Sequence, residues 1–199
     1  MQNCQAGRSM LEMLGVLSII GVLSIGGIAG YSKMMVQYKI NASMQQINIM
    51  SSKLSAIGSQ ISSYGGLDNA SAIKFNAVPS ELVSGTSLIN PFGGAVTISA
   101  APLLSGSSTD TQAYTISYFD LPEEACLALA SRNWNSAKSS TLLGIGVGAN
   151  AGASIYQGCS GSTYVACAEG SVSPLPMDIS KARAACNCGS SCTIVMKFF

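Results

Sequence analysis

The run from Met13 to Tyr31 constrains this chain most: 19 residues without a charge. At about 1.5 Å of rise per residue an α-helix of that length reaches across the hydrocarbon of a bilayer. Glu12, the only charge between Arg8 and Lys33, stands at its front. A carboxylate taken into lipid costs roughly 2.5 to 3.5 kcal/mol on insertion scales unless it meets a cation or stays at the water interface. The position therefore calls for a partner or an interface. Gly15, Gly21, Gly26, Gly27 and Gly30 interrupt the run. Each weakens a helix by about 1 kcal/mol relative to alanine in water, and each also lets a neighbouring helix approach closely.

After Tyr31 the all-round apolar pattern becomes one-sided. Ile40, Met44, Ile47, Met50, Leu54, Ile57, Ile61 and Tyr64 recur at steps of three and four, with Gln, Asn, Ser and Lys between them. This is the stripe of an amphipathic helix, and Gly65-Gly66 is its stop signal. The spacing predicts one helix from Ser9 to Tyr64, lipid-facing in its front half and seated on a sheet in its rear half. A coiled-coil partner could cover the rear stripe too, but the strand signals that follow favour packing within the chain. No proline precedes Pro79, so no proline kink is expected.

Leu67 to Ile89 reads as an irregular connection with one short helical turn. Asn90-Pro91-Phe92-Gly93-Gly94 is a turn, followed by strands at 95–100 and 113–119 that suggest an antiparallel meander. Asp120 is an N-cap candidate for a helix over 121–134, with Pro122, Glu123 and Glu124 in its first turn and Trp134 as a core residue. Leu142 to Ile155 is glycine-rich. Its Gly144-x-Gly146-x-Gly148 spacing looks like a phosphate loop, but no Walker lysine, βαβ context or ribose-binding acid accompanies it, which leaves a strand or a tightly packed loop. A short helix over Ile179 to Ala185 and a terminal strand from Thr193 docked inside the sheet complete an α+β reading.

Composition excludes several chemistries. The net charge is +1 with 10% charged residues, so no basic face argues for nucleic acid as the main partner. There is no histidine, which removes imidazole acid–base catalysis and most zinc and haem sites. The acids Asp110, Asp120, Glu123, Glu124, Glu169 and Asp178 form no dense calcium-ligand run. A membrane-tethered periplasmic hydrolase would need a Ser-Lys arrangement. Ser180-Lys181 and Lys138-Ser139 are adjacent pairs without a recognisable oxyanion motif. No cofactor or metal is expected.

The string Gly7-Arg8-Ser9-Met10-Leu11-Glu12 resembles the cleavage site of type IV prepilins. A secretory signal has a basic segment, then its apolar stretch, then a small residue; here the small residue comes first. In that family a dedicated peptidase cuts after the glycine, the new N-terminal residue is methylated, and the fifth mature residue is usually Glu. The resemblance thus implies a leader over residues 1–7, Arg8 as the mature N-terminus where relatives more often have Phe or Met, and Glu12 as the assembly residue that pairs with an N-terminal amine. It further implies a filament-core segment over 8–31, the amphipathic half of the same helix over 32–65 and a globular head over 66–199. Asn90 to Gly94, the Cys126-to-Trp134 stretch and Pro174 to Cys186 resemble type IVb pilins more loosely.

The cysteine count agrees with that reading. Cys4 leaves with the leader, and Cys126, Cys159, Cys167, Cys186, Cys188 and Cys192 can form disulfides in an oxidising compartment. Cys159 and Cys167 flank a short loop that could close locally. A bridge from Cys126 to the Cys186/Cys188/Cys192 group would resemble the one bounding the C-terminal region of type IV pilins. The alternative for Cys-x-Cys-x3-Cys is a metal site, disfavoured by the missing Cys-x2-Cys pairs. The resemblance implies a pilin fold, with a long N-terminal helix on an antiparallel sheet and a disulfide-stapled C-terminal region. It also implies a life cycle: inner membrane, prepilin peptidase, extraction by an ATPase-driven platform, and a homo-oligomeric extracellular helical filament of a Gram-negative cell. A minor pilin or type II secretion pseudopilin shares this architecture.

Overall fold

The computed structural model describes residues 6–61, 63–103, 111–134, 141–149, 151, 155, 164–167, 174–189 and 191–199, with the side chains of 6–9 excepted. The chain divides into two compact units, Met1–Tyr38 and Lys39–Phe199. Helix α1 runs from Ala6 to Gly58. In the first unit it is the whole described structure, and it is long and apolar enough to cross a membrane by length and composition.

The second unit holds a seven-stranded sheet in the order β1-β2-β3-β4-β7-β5-β6, antiparallel at every pairing. The strands are β1 Val83–Ser84, β2 Ser87–Ile89, β3 Ala95–Ala101, β4 Ala113–Leu121, β5 Leu142–Val147, β6 Val165–Cys167 and β7 Cys192–Phe198. Among the described residues the further α-helices are α2 Asn69–Lys74, α3 Glu123–Ala130 and α4 Ile179–Ala185, with a 3-10 turn at Ser80–Leu82. The terminal strand β7 lies inside the sheet between β4 and β5, as its β-prone sequence suggests. Residues on β4 are buried on both faces from Ala113 to Tyr118, which marks it as a central strand.

The rear of α1 packs on β4 through tyrosines. Ile40, Ile47, Met50 and Leu54 are buried, together with the polar Ser43 and Gln46 on the same side. Tyr114 donates its hydroxyl to the Ser51 carbonyl at 3.1 Å and lies 3.1 Å from Ser55 Oγ. Ser55 also meets Thr141 Oγ1 at 3.0 Å. The Tyr114 ring stacks on Phe198 with centroids 5.3 Å apart and tilts against Tyr64 at 4.8 Å.

Four expectations are corrected. Helix α1 stops at Gly58, not Tyr64. Tyr64 folds back so that its ring fills the space a Gly58 Cβ would need, and its hydroxyl donates to the Leu54 carbonyl. Ile61, the penultimate member of the stripe, is left 45% exposed. The connection after Leu67 is more ordered than its composition suggests. Asp68 caps α2 by accepting from Ser71 N at 2.7 Å, and a hairpin of β1 and β2 extends the sheet. Helix α3 is shorter than expected, and Asp120 does not cap it. Asp120 sits in β4 with φ +53° and accepts from Ser191 Oγ at 2.7 Å, while Pro122 takes the N-cap position without a side-chain bond. Trp134 lies beyond α3 and is only half-buried. Its Nε1 donates to the Leu129 carbonyl at 2.9 Å, with the Arg132 guanidinium 5.4 Å from the ring centroid.

The turn at Asn90 has the chemistry its sequence implies. Asn90 Oδ1 accepts from Phe92 N at 2.8 Å and Gly94 N at 3.1 Å, and Nδ2 donates to the Phe119 carbonyl at 2.7 Å. Gly93 adopts φ +96°, a conformation that favours glycine. In β5, a Cβ on Gly144 would lie 2.6 Å from Ile155 Cγ2 and 2.7 Å from the Ala166 carbonyl oxygen, and one on Gly146 would strike Ala151. These glycines let a covering segment press onto the strand, which accounts for the phosphate-loop-like spacing without a nucleotide.

Candidate functional site

The candidate site in the first unit is the surface of α1 itself. Gly7 and Arg8 lie within the helix, which begins at Ala6, and Glu12 follows one turn later with its side chain exposed. The large aliphatic side chains from Met10 to Ile28 are 53–74% exposed. An apolar surface of this extent is not maintained in water by a monomer and requires lipid or protein against it. The five glycines carry the same message. A Cβ at Gly15, Gly21, Gly26, Gly27 or Gly30 would meet nothing within 4 Å. Nothing packed against them among the described residues demands their small size, in contrast to Gly58, Gly144 and Gly146.

In the second unit the cysteines gather beneath α3 and α4. Cys126 of α3 is bonded to Cys186 at the end of α4, with Cα atoms 5.8 Å apart and 60 residues between them. Cys188 is bonded to Cys192 at the start of β7, with Cα atoms 5.3 Å apart. Cys167 on β6 is disulfide-bonded as well, and Cys159 lies outside the described residues. The Sγ atoms of Cys126, Cys188 and Cys192 lie within 4.8 Å of one another, a spacing that three reduced thiolates could offer to a metal. Paired as disulfides, these sulfurs are no longer thiolate donors. Among the described residues no carboxylates form such a group; Asp110 and Glu169 lie outside them.

The adjacent Ser180-Lys181 has a structural explanation. Asp178 caps α4, accepting from Ser180 N at 2.8 Å and from Ser180 Oγ at 2.5 Å. Those hydrogen bonds, the side-chain one first, hold the Asp178 carboxyl below the usual range. The serine is thus a donor to a carboxylate in a helix cap. Lys138 and Ser139 lie outside the described residues, as do residues 105–110 and 158–163.

Sequence reasoning missed the buried polar pair Gln46 and Tyr118, whose hydroxyl donates to Gln46 Oε1 at 3.5 Å. It also missed the Tyr114 contacts with Ser51 and Ser55. The signal available was the serine cluster at 51, 52 and 55, unusual on a helix face otherwise lined by aliphatic residues.

Comparison with known proteins supplies the family. No curated protein matches the sequence. Among solved structures, the chain is similar to TcpA, a type IV pilin from Vibrio cholerae El Tor biotype, at 19% identity and TM-score 0.49, over 82% of this chain and 99% of that one. It is also similar to the type IV b pilin from Salmonella typhi, at 17% identity and TM-score 0.47, over 76% of this chain and 96% of that one. The model of the family described as PilS N terminal matches residues 37–198, nearly the whole of the second unit together with the last two residues of the first. With most of its length covered by that match, the chain belongs to the PilS N-terminal family.

Proposed function

We propose that this chain is a structural subunit that is cut after Gly7 by a prepilin peptidase and polymerises through α1 into an extracellular type IV pilus. The single observation that carries the reading is the unsatisfied surface of α1: apolar side chains exposed from Met10 onward and five glycines facing open space. Lipid covers that surface before assembly, and copies of the same helix cover it afterwards. Small residues matter in the second state because they let backbones approach.

Glu12 sets the register of that packing. Cleavage creates an amine at Arg8, and a carboxylate inside a bundle of apolar helices gains strongly from meeting such a cation because the surrounding dielectric is low. A slipped subunit leaves the acid unpaired, which is costly. The ion pair therefore selects one axial position out of many that apolar contacts alone would permit. Extraction from the inner membrane by an ATPase-driven platform supplies the work of moving the helix out of lipid. The head carries the outer surface, where adhesion or aggregation would be determined.

The test has two parts. Mass spectrometry of the protein from cells with and without a prepilin peptidase should show a start at Arg8, with one added methyl, only where the peptidase is present. Glu12→Ala should be cleaved normally, remain in the membrane, and yield at least tenfold fewer sheared filaments. Normal filament yield from that variant would remove the ion pair from the mechanism, and an uncut chain would remove the pilin pathway.

A further inference from the structure

Two disulfides lie side by side in the head, and only one of them reaches water. Cys126 and Cys186 are fully buried and Cys192 is 1% exposed; Cys188 is the member of the four that is not buried. A thiolate outside the protein has no path to the Cys126–Cys186 bond while the fold is intact, because exchange requires direct attack on a sulfur. Yet Cys126 Sγ lies within 4.8 Å of both Cys188 Sγ and Cys192 Sγ. A thiolate released at either position has only that gap to close to reach Cys126.

We propose that Cys188–Cys192 is an exchange site for external dithiols and thiol–disulfide oxidoreductases, through which electrons pass to and from the buried Cys126–Cys186 bond. In the reductive direction a thiolate of the external dithiol attacks Cys188 Sγ. The Cys188–Cys192 bond breaks, leaving a mixed disulfide at Cys188 and a thiolate at Cys192. The Cys192 thiolate attacks Cys126 Sγ, forming Cys126–Cys192 and expelling the Cys186 thiolate, which takes a proton. The second thiol of the reagent then attacks its own mixed disulfide and leaves as a cyclic disulfide, freeing Cys188 as a thiol. Two electrons have entered, and Cys186 and Cys188 hold them. The oxidative direction is the reverse: a disulfide oxidant acts at Cys188, and the crossed Cys126–Cys192 bond resolves into Cys126–Cys186 and Cys188–Cys192.

The arrangement has a consequence for maturation. Cys126 and Cys186 join α3 to α4 across 60 residues, and they are buried once those helices dock. A chain that docks before this bond forms would trap two thiols beyond reach of an oxidant. The neighbouring pair at 188 and 192 gives a folded head a way to finish.

The test uses the full-length chain in detergent, treated with limiting dithiothreitol, quenched with an alkylating reagent at intervals, digested and read by mass spectrometry. In the wild type, alkylated Cys188 and Cys186 should appear together with a crossed Cys126–Cys192 peptide, before Cys126 is alkylated. In a Cys188→Ala/Cys192→Ala variant, loss of the Cys126–Cys186 bond should slow at least tenfold relative to the wild type, with each rate normalised to the same protein in denaturant. Where the double variant is folded, the inference stands only if the crossed peptide and the slowing are both seen. It is overturned if Cys126 and Cys186 are alkylated together without a crossed peptide, or if the variant is reduced as fast as the wild type. Should circular dichroism show the double variant unfolded, the crossed peptide in the wild type decides alone.

Discussion

Tyr114 concentrates the attachment of α1 to the sheet in one side chain. It is fully buried, touches Phe198 and Tyr64 by its ring, and reaches the helix backbone by its hydroxyl. Burial pushes its ionisation, and that of Tyr118, well above the ordinary tyrosine range. With a folded value raised above the unfolded one, the neutral form is what the fold favours. Its contribution is complete below about pH 10 and is lost as pH rises beyond that. Stability of the head should therefore fall steeply in alkali. Tyr114→Phe should lose about 0.5 to 1.5 kcal/mol at neutral pH from its hydrogen bonds and show a shallower alkaline decline, both measurable by urea unfolding across pH. Gly58 makes a second residue-scale case. An alanine there would gain up to about 1 kcal/mol of helix propensity, yet it would displace the Tyr64 ring, and overpacking costs roughly 1 to 3 kcal/mol. Gly58→Ala should destabilise the wild type and become neutral or favourable in a Tyr64→Ala background, a sign change that a double-mutant cycle detects. The sequence alone could not reveal this, because Ile61 and Tyr64 continue the helical period past Gly58. Periodicity records which residues are apolar and not which way the chain turns to bury them.

Among the elements, those with strong local signals were legible. The helix over Ile179–Ala185 starts at an Asp cap and lies where the sequence places it, and the strands β3, β4 and β7 follow from β-branched and aromatic runs. The hairpin of β1 and β2 was not. Its strands have two and three residues and are defined by pairing with β3, a non-local fact. Asp120 failed as a cap for a similar reason: its left-handed backbone and its bond to Ser191 come from the neighbouring start of β7. The glycine-rich strand β5 lies between these cases, since its sequence allows a strand but does not show what covers it. The cover is Ile155 and Ala151 together with the β6 backbone. Gly144→Val must therefore displace both a side chain and the Ala166 carbonyl, and backbone yields less readily than a rotamer. A loss of about 3 kcal/mol is expected by denaturant titration, at the upper end of overpacking costs. Ala166 pairs directly with Ile145, so amide exchange should show the β5–β6 pairing opening before the rest of the sheet.

At the level of the whole molecule, the two units obey different physical rules. Among the described residues the buried core lies at or beyond Ile40, and the described disulfides lie at or beyond Cys126. The first unit buries none of its large apolar side chains from Met10 to Ile28. The second unit thus carries a core of its own, whereas the first leaves a long apolar surface exposed among its described residues. The family match, starting at residue 37, falls at the same division. A fragment of residues 39–199 directed to an oxidising compartment should be a soluble monomer by sedimentation, with a cooperative thermal transition and no free thiol among the described cysteines. Reduction under denaturing conditions should prevent its refolding or lower its stability by about 2 to 4 kcal/mol, since the Cys126–Cys186 bridge closes a long loop in the unfolded chain. The full-length chain should need detergent and should form higher-order species when detergent is withdrawn. A fragment that aggregated, or unfolded without a cooperative transition, would mean that the first unit contributes to the head's core. A full chain that stayed monomeric without detergent would mean that the exposed surface of α1 is covered by the chain itself, and the case for a filament built on that surface would fall with it.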